Sequence, residues 1–279
     1  LRDDPYRMTL AAIDECVRNL VCVGTDPSRI AILDNFCWPG CQDAERLGSL
    51  VLAAEACYDG AMAYRTPFIS GKDSLNNQFT AEDGRTIRIP PTLLISGFGI
   101  VPDIARCRTM DAKRPGRALV LVGATDDAMG GSHFGRCFST DGMNADLPRV
   151  DLTRGPAIAQ AVHRLIRDGH VHAAHDCSDG GLLVAAAEMA FAGDLGLALD
   201  ADAVIDGFDP FVACFAESTS RYLLEVDASQ LADVARILGP LPHRRIGTFD
   251  DSGHVRLTDG SLDESIVTLK AAWQGTLDW

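Results

Sequence analysis

The sequence predicts a mixed α/β protein, of the α+β or α/β class, that is divided into two domains. Its 279 residues are 47% hydrophobic, so the chain can bury sizeable cores. Apolar residues recur at helical spacing in some segments and form short β-rich runs in others. Charged residues cluster in residues 106–116, where Lys-Arg-Pro-Gly indicates a linker. We therefore expect a first domain over residues 1–105 and a second over residues 115–279.

Two helices and several short strands are predicted for the first domain. Residues 9–23 have apolar positions at helical spacing, and Gly24 with Asp26-Pro27 provides the stop signal. The remaining elements follow from apolar runs and turn residues. They are a strand over 30–33 that ends in a turn at Asp34-Asn35, a helix over 44–64, a strand over 68–70, and a hairpin or strand pair over 76–101, in which 76–88 is polar with a turn signal and 91–101 is an apolar strand.

Helical and strand patterns alternate through the second domain, which again favours an α/β or α+β arrangement. No internal repeat and no low-complexity tract interrupts them. The predicted elements are a strand over 118–123, a helix over 155–168, a strand over 171–174, a helix over 180–192, strands over 195–200 and 221–226, and a helix over 228–238.

Charge and hydropathy exclude several classes of function. The formal net charge of −14 argues against nucleic acid as a partner, because such proteins need a basic surface. No apolar run approaches the roughly 20 residues that span a bilayer, and the first residues lack a signal-peptide core. We therefore expect no membrane association and no secretion. A small anionic ligand stays compatible with this charge, because backbone N–H groups and metal ions can hold it locally.

The nine cysteines indicate a reducing compartment. Their number is odd and most lie in apolar segments, so a cytoplasmic location without disulfides is expected. Cys37 and Cys41 form a close pair, but no second Cys or His pair follows at a zinc-like distance. Structural zinc is therefore disfavoured.

The segment from His175 to Gly181, HDCSDGG, is the strongest candidate for chemistry. It follows an apolar run and opens a predicted helix, where free N–H groups and glycines allow a phosphate to approach closely. Asp176 or Asp179 could hold a divalent cation through carboxylate oxygens. A plain helix cap, with Ser178 or Asp179 accepting backbone hydrogen bonds, explains the same pattern equally well.

A second candidate is the polar loop expected after residues 68–70, with the sequence SGKDSL. Gly71 can admit a phosphate, Lys72 can place a charge on it, and Ser74 can donate a hydrogen bond. The segment is not a Walker A loop, and a solvated turn is the competing interpretation. Asp34, at the end of its predicted strand, is either a turn former or a group that faces a ligand.

Several weaker patterns complete the set of candidates. Glu15 and Asn19 lie four residues apart on one helix, so both could reach the same cation. The segments 130–133 and 215–221 combine small, hydroxyl and charged residues and could each bind an anion. No GxSxG nucleophile motif is present and nothing marks Cys177 as activated, so covalent catalysis is disfavoured. His175 is the one histidine that we place in a site.

Taken together and in order, these segments resemble the phosphoribosylformylglycinamidine synthase family, in the superfamily of aminoimidazole ribonucleotide (AIR) synthetase. The resemblance spans nearly the whole chain. The segments that carry it are DPYRMTLAAIDECVRNL, IAILDNFCWPG, PFISGKDSLNNQF, IPPTLLISGFGIVPD, GGSHF, HDCSDGGLLVAAAEMAFAG and FAESTSRYLLEV. It implies an AIR synthetase-like architecture, with an A-type α/β domain followed by a B-type α/β domain.

The family reaction implies ATP and Mg²⁺ as cofactors. By this resemblance, ATP activates the amide oxygen of formylglycinamide ribonucleotide, and ammonia then displaces phosphate to give the amidine. The chain lacks an initial methionine and matches the second A-type and B-type pair. We therefore expect an inactive fragment whose partners are the N-terminal half of the same enzyme and a glutaminase domain or subunit. A homodimer through open edges of the A-type sheet is also expected.

The resemblance also implies roles for individual residues. Asp34, Gly71 and Ser178 match ATP contacts, and Ser74 matches a substrate contact. The expected metal ligands are Glu15, Asn19 and Asp176. Lys72 stands where smaller members have a metal-binding asparagine, so no metal contact is expected there. The family's catalytic histidine has no counterpart here, and we predict no catalytic residue in this chain.

Two other functions are compatible with the same residues. One is a noncatalytic nucleotide-binding scaffold that stabilises a partner polypeptide. The other is a different ATP-dependent enzyme of the superfamily, such as a small-molecule kinase, which would need its own glycine- and aspartate-rich N-terminal metal segment. A coding frame that continues upstream into another A-type and B-type pair would favour the synthase.

Overall fold

Two sheets and a two-stranded hairpin organise the chain in the computed structural model, which describes residues 4–275. The α-helices of this range are α1 (Pro5–Cys22), α2 (Ala44–Tyr64), α3 (His133–Cys137), α4 (Arg154–Arg167), α5 (Gly181–Ala192), α6 (Ala201–Ile205), α7 (Pro210–Phe215), α8 (Leu231–Leu238) and α9 (Ile266–Gly275). The strands are β1 (Ile30–Cys37), β2 (Phe68–Ser74), β3 (Gln78–Thr80), β4 (Thr86–Arg88), β5 (Thr92–Gly99), β6 (Ala118–Val122), β7 (Val171–Asp176), β8 (Gly196–Leu199), β9 (Tyr222–Val226), β10 (His243–Asp250), β11 (His254–Leu257) and β12 (Asp263–Ser265).

The first sheet has three strands in the order β2-β1-β5. Strand β1 is central and pairs in parallel with β2 and antiparallel with β5. Helix α1 packs against β5 and α2, and apolar side chains of β1, such as Ile32 and Phe36, are buried on the helix side. Because side chains alternate along a strand, Leu94 and Phe98 of β5 lie on the opposite face, where both are exposed.

The larger sheet has seven strands in the order β12-β11-β8-β10-β6-β9-β7 and carries cores on both faces. Strand β6 is buried at every position. Val120 and Val122 pack into the core that includes residues of α1, α4 and α8, whereas Leu119 and Leu121 pack into the core that includes α5. This alternation explains why β6 appears in the sequence as an unbroken apolar run.

Helix α1 connects the two sheets. It contacts α2 and β5 of the first part and α4 and β7 of the second. Its buried residues Ile13, Val17 and Val21 recur every four positions and belong to one core with residues of both sheets. The two predicted domains, 1–105 and 115–279, therefore share a core along this helix, and the division between them stays a prediction.

Two predictions of loops were wrong. Asp34 and Asn35 lie within β1, and residues 71–74, which were expected to be a loop, form the end of β2. The two strands pair through Cys37 and Ser74, so the ladder satisfies backbone groups that a polar sequence would otherwise expose to water. Four helices, three strands and the precise ends of several elements were also missed, most of them short and without clear periodicity. The helices are α3, α6, α7 and α9, and the strands are β10, β11 and β12.

Between residues 4 and 275, no helix combines the length and the apolar composition that crossing a membrane requires. Each of the nine cysteines is a free thiol.

A glycine on the loop after β6 provides a test of the packing. Gly123 has a φ of 103°, and a Cβ there would lie 2.5 Å from the carbonyl oxygen of Ser220. Gly123→Ala should lower the free energy of unfolding by more than the roughly 1–2 kcal/mol of a left-handed residue, because a rigid backbone atom must also move. Gly116→Ala is the matched control, since its φ is 84° and nothing lies within 4 Å of the added Cβ. Equal destabilisation in urea unfolding would contradict this packing.

Candidate functional site

The HDCSDGG segment forms the turn between β7 and α5. Asp176 ends β7 and is buried, and the hydroxyl of Ser178 donates to its Oδ2 at 2.5 Å. Gly180 and Gly181 both have positive φ, which lets the chain reverse into the helix. The alternative of a plain helix cap is wrong: α5 has no side-chain cap from Ser178 or Asp179.

Arg18 of α1 reaches across to this turn as a buried cation. Its Nη1 donates to Asp176 Oδ2 at 2.8 Å and to Ser178 Oγ at 3.2 Å, and its Nε donates to Asp14 Oδ2 at 2.8 Å. Burial opposes the charged form of Arg18, but the attraction of Asp14 and Asp176 outweighs it and raises its pKa. The guanidinium is therefore charged and fixed between two carboxylates.

Asp176 is ionised for matching reasons. Burial alone would raise its pKa, but the hydrogen bond from His175 and the charge of Arg18 lower it to about 2. A buried carboxylate that stays ionised at neutral pH is the form that a divalent cation binds.

Three of the predicted site residues meet Asp176 here. Asn19 places its amide nitrogen 3.0 Å from Asp176 Oδ1 and 3.2 Å from Oδ2, in the amide orientation that satisfies both groups. Glu15 lies one helical turn earlier on α1, and burial first and the charges of Asp176 and Asp179 next raise its pKa, although Arg18 lowers it. Ser178 completes the group. We call Glu15, Asn19, Asp176 and Ser178 the turn cluster.

The turn cluster fits a hard divalent cation such as Mg²⁺. Glu15 and Asp176 offer carboxylate oxygens, and Asn19 would offer its amide oxygen after its side chain turns over. Burial is the main cause of the raised pKa of Glu15; Arg18 lowers it, and the charges of Asp176, Asp179 and Asp14 raise it further. A cation at this place would lower that pKa.

The other predicted residues form a second group on the three-stranded sheet, which we call the strand cluster: Asp34, Gly71, Lys72 and Ser74. Gly71 lies opposite Asp34 in the register of β1 and β2, and a Cβ on Gly71 would lie 2.3 Å from Asp34 Oδ1. Burial and the neighbouring Asp73 raise the pKa of Asp34. Lys72 Nζ donates to Ser74 Oγ at 2.8 Å.

The structure brings the predicted residues together as two groups. Among residues 4–275, no hydrogen bond or ion pair joins a member of the turn cluster to a member of the strand cluster. In the turn cluster only Asp176 is buried: Ser178 is half-buried, and Glu15 and Asn19 are exposed at the contact of α1 with β7. The strand cluster lies on the paired strands β1 and β2, where Gly71 and Lys72 are exposed.

Sequence reasoning missed Asp14, which organises the surroundings of the turn cluster. Its Oδ1 accepts hydrogen bonds from Tyr64 and Ser220, and its Oδ2 accepts from Arg18 and from the backbone N–H of Ser220. The available signal was a carboxylate within the apolar stripe of α1, one residue after the buried Ile13.

His175 has a structural partner on each side. Its Nε2 lies 2.8 Å from Glu188 Oε2, and its Nδ1 lies 3.4 Å from Asp176 Oδ1. Burial alone would lower its pKa, but the hydrogen bonds to Asp176 and Glu188 outweigh burial and raise it to about 9. At neutral pH the imidazolium therefore adds a second positive charge beside Asp176.

The raised pKa of His175 predicts how stability depends on pH. Because the folded value of about 9 exceeds the ordinary 6.5, this contribution is complete below pH 6.5 and is lost as the pH rises through 9. Glu188→Gln should move the pKa of His175 back toward 6.5 in an NMR titration of the imidazole. Asp263→Asn, which removes the exposed partner of His254, is the control and should leave His175 unchanged. A wild-type His175 that titrates near 6.5 would refute this geometry.

Relatives in sequence cover nearly all of this chain, but the chain spans only about 37% of their length. It is 31% identical to "Phosphoribosylformylglycinamidine synthase subunit PurL" of Synechococcus sp. CC9902 and 33% identical to the protein of that name from Deinococcus radiodurans, over 98% of this chain and 37% of each relative. The corresponding protein of Rhodopseudomonas palustris BisB18 is 36% identical over 98% of this chain and 36% of its own length.

Solved structures share the fold at low identity. T. maritima PurL complexed with FGAR has a TM-score of 0.76 at 17% identity, and covers 96% of this chain and 43% of its own. The ATP complex of the same protein has a TM-score of 0.73 at 17% identity, with 96% and 42% covered. Hydrogenase maturation protein HypE in complex with ATP has a TM-score of 0.64 at 16% identity, with 92% and 78% covered.

A family match covers the second part of the chain. The C-terminal domain of AIR synthase related proteins matches residues 114–260, which is more than half of the 279 residues. This range contains β6, the HDCSDGG turn and α5. The chain therefore belongs to the family of AIR synthase related proteins.

Proposed function

We propose that this chain supplies the turn cluster and the strand cluster to a phosphoribosylformylglycinamidine synthase, an ATP-dependent C–N ligase of purine biosynthesis. The observation that carries the proposal is the meeting of Glu15, Asn19, Asp176 and Ser178 around one turn. Relatives that are 31–36% identical and bear this name support the substrate class. The proposed substrate is formylglycinamide ribonucleotide, with ATP and ammonia, in the cytoplasm.

The turn cluster would hold a nucleotide through Mg²⁺. Glu15, Asn19 and Asp176 would hold the ion, and the ion would supply charge neutralisation for the phosphates when bound. The hydroxyl of Ser178 donates to Asp176 in the structure and could turn toward a phosphate oxygen. Arg18 and protonated His175 keep Asp176 ionised, so the cluster is prepared for a cation at neutral pH.

The strand cluster would contact a nucleotide group and the substrate. The carboxylate of Asp34 occupies the space over Gly71, which a residue with a Cβ would not leave to it, so the absence of a side chain at Gly71 fixes where Asp34 would meet a nucleotide group. Ser74 would contact the substrate, with Lys72 as a neighbouring positive charge. These assignments rest on the matched motif and on the shared register of β1 and β2. Ammonia would come from a glutaminase domain or subunit.

A noncatalytic nucleotide-holding half is the second candidate function. Arg18 favours it, because a permanently buried cation already neutralises the carboxylate that a catalytic metal would share. In that case the turn cluster would retain a nucleotide and stabilise the contact between the two sheets without turning the nucleotide over.

Calorimetric titration of the chain with ATP and ADP, with and without Mg²⁺, tests the turn cluster. We expect binding that requires Mg²⁺ and that weakens about tenfold or more, roughly 1.4 kcal/mol, in Asp176→Asn and Ser178→Ala. Asp263→Asn on exposed β12 is the control and should bind as the wild type does. Asp176→Asn removes one of the two carboxylates that pair with Arg18, and this loss can unfold the chain. Ser178→Ala keeps both carboxylates and therefore tests the site even in that case. Binding that ignores Mg²⁺ or both variants would refute the assignment.

Gly71→Ala tests the strand cluster in the complete enzyme. The added Cβ would collide with the carboxylate of Asp34, so we expect the rate of FGAR-dependent ADP formation with ammonia to fall at least tenfold. Gly48→Ala in α2 is the control, because nothing lies within 4 Å of its added Cβ. Equal rates for both variants would contradict a role for this cluster in the reaction. Loss of this rate with intact nucleotide binding would separate the two clusters.

The exposed face of the three-stranded sheet would bind the N-terminal half of the enzyme or, in its absence, a second copy. Leu94 and Phe98 lie on this face with 59% and 63% of their surfaces exposed, and β2 and β5 are edge strands of the sheet within the described residues. We expect a dimer of the isolated chain in light scattering and a monomer for Phe98→Asp. Phe79→Asp, at an equally exposed position of the β3–β4 hairpin, should remain dimeric. A strictly monomeric wild type would end this proposal.

A further inference from the structure

Three side chains from different segments meet outside the turn cluster, at the start of α5. His133 begins α3, Asp179 lies in the turn after β7, and Glu217 follows α7. The Nδ1 of His133 lies 3.0 Å from Glu217 Oε1 and 3.5 Å from Asp179 Oδ1. One ligand atom from each residue lies within 4.8 Å of the other two. We propose that His133, Asp179 and Glu217 bind a first-row divalent transition metal such as Zn²⁺, Co²⁺ or Mn²⁺.

The proton inventory of this group favours a metal over a simple ion pair. Two carboxylates face the same imidazole nitrogen, and Nδ1 can carry only one hydrogen to share between them. Glu217 Oε1 also accepts from two backbone N–H groups, so the anion left without a fixed donor is the exposed Asp179. A divalent cation that replaces the Nδ1 proton would attract both carboxylates and accept the nitrogen lone pair. Its binding would release a proton whenever Nδ1 is protonated.

The distances suit ligands that are neighbours around one metal ion. With metal–ligand bonds of about 2.1 Å, adjacent ligand atoms are separated by roughly 3.0 Å in an octahedron and 3.4 Å in a tetrahedron. The two separations from His133 Nδ1, 3.0 and 3.5 Å, span this range, and the three ligand atoms lie within 4.8 Å of one another, so a metal would draw the exposed Asp179 into place. Donors of both nitrogen and oxygen type favour transition metals and zinc, whereas Mg²⁺ prefers oxygen alone.

Glu217 is fixed before any metal arrives. Its Oε1 accepts hydrogen bonds from the backbone N–H of His133 at 2.8 Å and of Gly180 at 2.9 Å. The side chain of Glu217 is only 18% exposed, whereas that of Asp179 is 83% exposed. These hydrogen bonds hold Glu217 beside His133, and the exposed Asp179 can move in from solvent to complete the site. The open side leaves coordination positions for water or for an anionic ligand.

Titration of the chain with Co²⁺, in a buffer that contains excess Mg²⁺, tests the proposal. Mg²⁺ occupies the oxygen ligands of the turn cluster, so the visible absorption of Co²⁺ reports the site that contains a nitrogen ligand. We expect one Co²⁺ per chain, displaced by Zn²⁺, and selective paramagnetic broadening of the His133 imidazole in NMR. His133→Gln and Glu217→Gln should each weaken binding about tenfold or more, because one of three protein ligands is lost.

Matched controls make either outcome decisive. His254→Gln removes another exposed imidazole, whose Nδ1 lies 2.7 Å from Asp263 without a third ligand in the described structure, and should leave Co²⁺ binding unchanged. Asp179→Asn removes the exposed ligand and leaves the hydrogen bonds that fix Glu217 in place. Absence of Co²⁺ binding to the wild type, or equal losses in His133→Gln and His254→Gln, would overturn the proposal. Nucleotide binding at the turn cluster is measured separately, so failure of one site would not mask the other.

Discussion

The buried ion network of Asp14, Arg18 and Asp176 is the constraint on which the rest of the structure depends. Arg18 and Asp14 lie on α1, whereas Asp176 ends β7, so the network crosses the contact between the two parts of the chain. Burying one of these charges without its partners would cost several kcal/mol. The three groups therefore have to be placed together, and α1 must lie against β7 for that to happen. The apolar residues of α1 stabilise its packing, and the three ionised groups determine how α1 is oriented against β7.

This constraint also explains where the candidate site lies. Glu15 and Asn19 occupy the same helix as Arg18, so the geometry that seats the guanidinium also brings these two side chains toward Asp176. The turn after β7 is held from the other side by Glu217, whose Oε1 accepts from the backbone N–H of Gly180. Ser220 donates to Asp14 and so holds α1 in the same place. The packing of α1 against β7 thus positions the site, and its functional groups come from α1 and from the turn after β7.

The sequence predicted those parts of the fold that have strong local signals. Helix α2 was predicted at its observed bounds, 44–64, because its apolar pattern is long and Pro67 follows it. Asp34 was placed in a turn because a polar pair after an apolar run looks like a strand end, yet pairing on both sides extends β1 to Cys37. The same tertiary pairing hid the second half of β2. Glu15, Asn19 and Asp176 were proposed as cation ligands from helical spacing and the turn motif, and the family resemblance implied the same three residues. Arg18 and Glu217 act through contacts between distant segments that no local pattern shows.

The charge balance of the turn cluster argues for a cation taken from solution. The chain carries a net charge of −14, and the cations nearest to Asp176 are already engaged. Arg18 is shared between Asp14 and Asp176, and His175 is shared between Asp176 and Glu188. Neither has a free charge to offer a phosphate, and the raised pKa of Glu15, caused first by desolvation, means that this carboxylate ionises more readily beside an added cation. A polyanionic nucleotide at this place would therefore have to bring accompanying cations, which is why the proposed binding is tested with and without Mg²⁺.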